Sequence, residues 1–175
     1  AYRAFAAAHV RAYRAIHTGQ PHAEVGIGNI LDFYESASDS LLEKGAVKLM
    51  DRIANERFYS LTEGAHDWLG LQYYFHWRLR FSAAKPSTFF ITHANENKRV
   101  SDMGWELYPE GLYHLVKIVS KYQKPIYITE SGLADAHDQY RTWYIRESIR
   151  QIARAMREGA DVRGYFYWSL MDNYE

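Results

Sequence analysis

The chain has 175 residues, of which 47% are hydrophobic and 24% charged, a composition that is typical of a folded domain and excludes a disordered chain. The formal net charge is zero and lysine and arginine are scattered, which argues against nucleic acid or an anionic membrane as the main partner. There is no cysteine and no apolar stretch of membrane-span length. These absences exclude a disulfide scaffold, thiolate chemistry and a membrane helix, and they fit a cytoplasmic protein.

The first half of the chain predicts two helix–strand units followed by an irregular stretch. Residues 1–17 have apolar side chains at helical spacing, and residues 25–30 form a short apolar run that is typical of a buried strand. Residues 39–60 predict a second helix and residues 67–74 a second strand. Residues 76–102 show no clear period, so we expect a long excursion at one end of the fold.

The second half of the chain repeats this alternation. Pro109 suits the first turn of a helix, residues 126–130 predict the third strand, a further helix ends at Gly159, and residues 162–170 predict the fourth strand. Alternating helices and strands indicate a parallel sheet covered by helices, and four strands are too few to close a barrel. Because no linker or repeat divides the 175 residues, we expect one partial domain.

Three partial motifs are set aside. Gly26-Ile27-Gly28 begins like a dinucleotide-binding fingerprint, but it lacks the third glycine and lies within a strand. The eight histidines form no H-E-x-x-H motif and no close pairing with carboxylates, so we expect no metal. Asn95-Glu96 follows no apolar strand and precedes no proline, and we interpret it as part of a polar loop.

The most informative feature is a strand that ends on a carboxylate. Residues 125–132 have the sequence P-I-Y-I-T-E-S-G, which places Glu130 after a short apolar run and before a turn pair. In barrels of parallel strands the chemistry lies at the C-terminal ends of the strands. A lone glutamate at a strand end is more often a structural carboxylate paired with lysine or arginine, so its interpretation depends on the neighbouring motifs.

Three motifs, in this order along the chain, resemble those of glycoside hydrolase family 1, the retaining β-glycosidases. Residues 67–74 (D-W-L-G-L-Q-Y-Y) resemble the strand-six motif D-F-[IL]-G-[IL]-N-Y-Y, and residues 128–132 (I-T-E-S-G) resemble the strand-seven motif I-T-E-N-G. Residues 168–175 (W-S-L-M-D-N-Y-E) resemble the strand-eight motif W-S-L-L-D-N-F-E-W. The resemblance implies an α/β fold in which this chain is the C-terminal half of a (β/α)8 TIM barrel, from helix 4 to strand 8.

Carried over residue by residue, the resemblance implies that Glu130 is the catalytic nucleophile. It also implies that the hydroxyl of Tyr74 hydrogen-bonds this carboxylate and orients it. Gln72 falls on the asparagine of the strand-six motif, where it keeps an amide on a longer arm, and it is expected to bind substrate. Ser131 stands where the family usually has asparagine, directly after the nucleophile.

The same resemblance implies a sugar-binding role for three further residues. Trp168 is expected to stack under the sugar, and Glu175 to bind its O4 and O6 hydroxyls through charged hydrogen bonds. The negative charge of Glu175 also disfavours substrates that carry a 6-phosphate. Asn29, at the end of the first strand, is expected to face the aglycone, with a turn role as an equal alternative.

The family's acid/base glutamate, in a T-x-N-E-P motif, lies upstream of the part that this chain resembles. We therefore expect hydrolysis of terminal β-D-glycosidic bonds of β-glucoside type, with retention through a glycosyl-enzyme intermediate, when an N-terminal half-barrel complements this chain. The chain alone is expected to be inactive, and no cofactor is expected. Galactosides and fucosides stay open as alternative substrates. The alternative function is a non-catalytic half-barrel that binds carbohydrate or a partner chain.

Overall fold

The computed structural model describes residues 2–88 and 91–171, which form one β-sheet and the helices that cover it. The helices are α1 (Tyr2–Gly19), α2 (Leu41–Met50), α3 (Arg57–Leu61), α4 (Glu110–Ser120) and α5 (Arg141–Arg157). The strands are β1 (Gly26–Ser36), β2 (Trp68–Phe81), β3 (Ile91–His93), β4 (Ile126–Gly132) and β5 (Val162–Trp168). Four strands run parallel in the order β1-β2-β4-β5, and β3 pairs antiparallel with β2.

The helices pack on one face of this sheet. Alternate residues of β2 and β4 point to that face, and Leu71, Ile126 and Ile128 are fully buried there. From Leu112 to Val119, helix α4 has apolar residues at positions i, i+3, i+4 and i+7, and all four side chains are fully buried. Because burial of a leucine or valine side chain contributes roughly 1.5–3 kcal/mol, this apolar stripe is a main reason why α4 packs on the sheet.

The opposite face of the sheet is the inner side of the half-barrel. Gly28 of β1 and Gly70 of β2 are register partners there, and a Cβ added to Gly70 would lie only 2.6 Å from the Cα of Gly28. Apolar side chains on this face are open, since Ile30 is 48% exposed and Phe166 is 59% exposed. Within the described ranges, β1 and β5 each pair with one strand only. The inner face and both parallel edges of the sheet therefore lack a covering layer among these residues.

Residues 76–102 contain more regular structure than the sequence indicated. Strand β2 is 14 residues long and ends at Phe81, well past its predicted end at Tyr74. Strand β3 pairs with this extension. The extension is held by His76, whose ring nitrogens lie 2.5 Å from a carboxylate oxygen of Glu106 and 3.1 Å from one of Glu35. These glutamates lie 30 and 41 residues away in the sequence, so the search for short histidine motifs did not indicate the contact.

The other predicted elements are confirmed with shifted boundaries. The helix predicted over residues 39–60 is divided into α2 and α3 by a π-helical turn (Asp51–Glu56), and a short 3-10 turn (Pro86–Thr88) precedes β3. Within residues 2–88 and 91–171, no helix is long and apolar enough to cross a membrane. The same residues contain no group of three or more acidic, histidine or cysteine side chains arranged to hold a metal ion.

Candidate active site

A β-bulge turns Glu130 toward the inner face of the sheet. In a regular strand side chains alternate, so Ile128 and Glu130 would both point to the helices. The register instead pairs Leu71 with Ile128 and the next residue, Gln72, with Glu130, which leaves Thr129 as an extra residue in β4. A bulge of this kind re-aims the side chain that follows it. Glu130 therefore lies on the same face as Gln72, at the C-terminal end of its strand.

The carboxylate of Glu130 accepts one hydrogen bond on each oxygen. The hydroxyl of Tyr74 donates to Oε2 at 2.8 Å, and the side-chain amide of Gln72 donates to Oε1 at 2.7 Å. Both donors belong to β2, and all three side chains are partly buried. Hydrogen bonds to an ionised carboxylate are short and strong, so the two donors together fix the plane of the carboxylate. Gln72, expected to bind substrate, thus contacts Glu130 in this structure.

A second irregularity, in β2, shapes the wall next to this pair. Tyr74 and Phe75 together lie opposite the single residue Asp32 of β1. Both rings contact Trp105, which comes from the loop before α4, with ring centroids 6.2 Å apart for Tyr74 and 4.5 Å apart for Phe75. Trp105 therefore packs against the residue that contacts Glu130, and nothing in the sequence around it indicated this position.

Trp168 lies at the end of β5, beside the strand that carries Glu130. Its register partner is Gly132, and a Cβ added there would lie 1.7 Å from the carbonyl oxygen of Trp168, so only glycine fits at position 132. The side chain of Trp168 is 41% exposed. A partly exposed aromatic ring near a carboxylate offers a flat apolar surface on which a sugar ring can stack.

A cleft of about 370 Å³ opens beside these residues and is lined by Tyr74, Trp105 and Trp168 among others. It also contains Asp135, which is buried. Burial opposes ionisation of Asp135, but hydrogen bonds from three backbone N–H groups before and at the start of α5 outweigh it and hold the pKa of this carboxyl below its ordinary value. Asp135 is therefore ionised at neutral pH and is not a proton donor.

Of the remaining residues expected to bind substrate, the structure describes Asn29 but not Glu175. Asn29 lies between Gly28 and Ile30, on the same side of β1 as Leu31, which is fully buried against the helices. This placement is on the helix side of the sheet, and the role of Asn29 toward the aglycone stays a prediction. Glu175 lies outside the described residues.

The fold and the site together define one half of a parallel (β/α)8 barrel with a firmly held carboxylate at the end of a strand. The family model described as Glycosyl hydrolase family 1 matches residues 34–175. The chain belongs to glycosyl hydrolase family 1.

Relatives and solved structures agree with this assignment. The chain is 34% identical to a β-galactosidase of Sulfolobus acidocaldarius over 200 aligned positions, which cover 96% of this chain and 39% of that protein. A β-glycosidase from Pyrococcus horikoshii is 32% identical with a TM-score of 0.87, over 99% of this chain and 44% of that chain. A β-glucosidase from Thermotoga maritima in complex with deoxynojirimycin is 26% identical with a TM-score of 0.88, over 99% of this chain and 48% of that chain. The chain thus spans less than half the length of these proteins and has the fold of the C-terminal half of their barrel.

Proposed function

We propose that this chain supplies the nucleophile of a retaining β-glycosidase, which hydrolyses terminal β-D-glycosidic bonds when strands 1 to 4 complete the barrel. The observation that carries the proposal is the pair of hydrogen bonds that fixes Glu130 at the C-terminal end of β4. A fixed carboxylate in this position, close to an exposed tryptophan and an open cleft, fits attack on a sugar. Membership of glycosyl hydrolase family 1 supports the type of reaction.

In the proposed reaction, Glu130 attacks the anomeric carbon of the sugar. A carbon–oxygen bond of a glycosyl ester forms while the bond to the leaving-group oxygen breaks. That oxygen must take up a proton, which a second carboxyl group roughly 5 Å from Glu130 supplies in retaining enzymes. Because Asp135 is ionised, we assign the proton donor to the N-terminal half of the barrel. Water then hydrolyses the ester, and the two inversions give retention of configuration.

The substrate follows from the sugar-facing residues. We assign to Trp168 the role of stacking platform and to Glu175 the binding of the O4 and O6 hydroxyls, with β-glucosides as the first substrates to test. The required partner is an N-terminal half-barrel, and the exposed side chains of Ile30 and Phe166 support this requirement because they form an apolar surface that the missing strands would cover. A cytoplasmic location remains part of the proposal.

The test is covalent labelling of the completed barrel, assembled from this chain and the N-terminal half of a family 1 enzyme. A fluorinated mechanism-based β-glucoside should label the peptide that contains Glu130, because fluorine slows hydrolysis of the ester and lets it accumulate. Glu130→Gln should reduce turnover by several orders of magnitude. Glu158→Gln, at the C-terminal end of α5 and outside the cleft, is the matched control and should keep full activity. A label on any other peptide would remove the assignment.

A non-catalytic half-barrel that binds carbohydrate is the second candidate function. The partly exposed ring of Trp168 in the open cleft fits it, because stacking of a sugar needs no proton donor. A completed barrel that binds the fluorinated glucoside but leaves it unlabelled and intact would support this alternative.

A further inference from the structure

The side chain of Gln72 reaches Glu130 because it is longer than the asparagine of the family motif. Its Nε2 donates to Oε1 of Glu130 at 2.7 Å. An asparagine on the same backbone would be shorter by one carbon–carbon bond, about 1.5 Å. Its amide would stop well beyond hydrogen-bond distance of this oxygen. In this chain the contact therefore depends on the extra length of the glutamine side chain.

The space for this longer side chain comes from Gly28 on the neighbouring strand. A Cβ added to Gly28 would lie 3.2 Å from Nε2 of Gln72 and 3.1 Å from Oγ1 of Thr129. Both distances are tighter than ordinary van der Waals contact, so a side chain at position 28 would push the amide or Thr129 aside by a few tenths of an ångström. Gly28 and Gln72 are thus a matched pair, in which a missing side chain on β1 makes room for a long one on β2.

We infer that Gln72 is a positioning residue for both covalent steps, and that Gly28 leaves room for it to act. The inference rests on the proposed function, in which Glu130 is the nucleophile. Gln72 donates to the carboxylate, which attacks the sugar in its ionised form, loses its charge in the glycosyl ester and regains it as the ester breaks. A hydrogen bond to the charged form is roughly twice as strong as one to a neutral acceptor.

The two chemical steps respond to this bond in opposite directions. During ester hydrolysis the charge returns to Glu130 in the transition state, so the donor speeds this step. During attack on the sugar the charge disappears, so the donor stabilises the starting state more than the transition state. Orientation by the same bond helps both steps. Loss of the Gln72 contact should therefore slow deglycosylation more than glycosylation.

Aryl β-glucosides with good leaving groups separate the two steps in the completed barrel. With such substrates kcat reports ester hydrolysis and kcat/KM reports glycosylation. Gln72→Met and Gln72→Asn should each lower kcat about ten- to a hundredfold and lower kcat/KM clearly less. Gln20→Met, an exposed glutamine after α1, is the matched control. A raised KM with unchanged kcat would show that Gln72 binds substrate, and equal losses in kcat and kcat/KM would show that the contact does not act mainly on deglycosylation. Either result would overturn the inference.

A double-mutant cycle tests the part played by Gly28. Gly28→Ala should lower kcat, though less than Gln72→Asn does, because it shifts the amide by only a few tenths of an ångström. In the Gln72→Asn background, Gly28→Ala should add little, because the amide no longer occupies the space. Additive losses would contradict the matched pair.

A further measurement needs no turnover. The NMR resonances of the Gln72 side-chain amide should shift in a Glu130→Ala variant of the completed barrel and stay in place in Glu158→Gln. If the barrel has no activity, the proposed function fails while this shift still decides whether Gln72 holds Glu130. An unshifted amide overturns the inference even in an active enzyme.

Discussion

Ser131 and Tyr144 form a buried contact directly behind the proposed nucleophile. The hydroxyl oxygens of the two side chains lie 3.1 Å apart, and Ser131 is 0% and Tyr144 2% exposed. Since Tyr144 belongs to α5, the contact ties β4 to a helix one residue after Glu130. Serine stands here where the family motif has asparagine, and Tyr144 fills the space next to it.

This contact predicts the outcome of restoring the family residue. Ser131→Asn should lower the free energy of unfolding by about 1–3 kcal/mol, because a larger polar side chain enters a closed space against Tyr144. Ser131→Ala should cost about 1 kcal/mol through the lost hydrogen bond. Urea denaturation of the completed barrel measures both. Ser87→Asn, on an exposed turn, is the control and should change little. A fully stable Ser131→Asn variant would show that the space is not closed.

The hydroxyl of Tyr74 is expected to contribute to turnover. Tyr74→Phe removes the 2.8 Å hydrogen bond to Glu130 and keeps the ring. A hydrogen bond to a charged group is worth about 1.5–3 kcal/mol, so kcat should fall roughly ten- to a hundredfold. Steady-state kinetics of the completed barrel give the value. Tyr122→Phe serves as control, because the hydroxyl of Tyr122 donates to the backbone carbonyl of Glu56 at the end of the π-helical turn. An unchanged kcat would exclude a role for this hydroxyl.

Glu175 is expected to select sugars by their hydroxyl groups. Glu175→Ala should lower kcat/KM about tenfold or more for a β-glucoside, the effect of losing a charged hydrogen bond. The loss should be smaller for the 6-deoxy analogue, which has no O6 hydroxyl for the carboxylate to bind. Comparison of the two substrates on wild type and variant provides the measurement. Equal losses on both would mean that Glu175 does not contact O6.

A pair of buried histidines should make stability depend on pH. The rings of His66 and His9 stack with centroids 4.6 Å apart, and His66 is 4% exposed. Burial, together with repulsion from His9 and Lys124, lowers the pKa of His66 from 6.5 to about 4. Between these two pH values the unfolded chain binds more protons than the folded chain, so stability falls as the pH falls through this window.

The size of this effect is about 3 kcal/mol, since each pKa unit corresponds to about 1.4 kcal/mol. His66→Gln keeps a hydrogen-bonding side chain for Thr62 and should flatten the slope of unfolding free energy between pH 6.5 and 4. His22→Gln, which changes an exposed histidine, should leave the slope as it is. Denaturation curves at several pH values measure this. Identical slopes for wild type and His66→Gln would contradict the prediction.

The 175-residue chain by itself is expected to self-associate and to lack glycosidase activity. Exposed Ile30 and Phe166, and the edges of β1 and β5 that pair on one side among the described residues, favour association with other chains. Light scattering and an aryl β-glucoside assay test both points. Addition of an N-terminal half-barrel should restore activity. A stable, fully active monomer would contradict the half-barrel requirement.

The sequence motifs predicted where the candidate site residues stand along the strands, because a residue's place at a strand end depends on local sequence. Glu130, Tyr74 and Trp168 all lie at the open end of the sheet, and the order of helices and strands followed from the hydrophobic pattern. The alternation of side chains did not predict the face that Glu130 occupies. Strict alternation would direct Glu130 to the helices, and the bulge at Thr129 turns it to the other face.

Contacts between distant residues account for the rest. His76 contacts Glu35 and Glu106, which lie 41 and 30 positions away in the sequence. These contacts stabilise a strand extension whose own sequence has no clear period. Trp105 reached the wall of the cleft through tertiary packing alone. No local pattern contains such information, because these interactions depend on how the sheet brings separate segments together.

The bulge in β4 makes this strand tolerant of one change in length. Because Thr129 has no register partner, a chain with one residue fewer between Tyr127 and Glu130 could pair as a regular strand and still place Glu130 opposite Gln72. A second deletion, or an insertion, would rotate Glu130 to the helix side and remove the carboxylate from the inner face of the sheet. We therefore expect natural or engineered variants of β4 to tolerate the deletion of one residue but not the insertion of one.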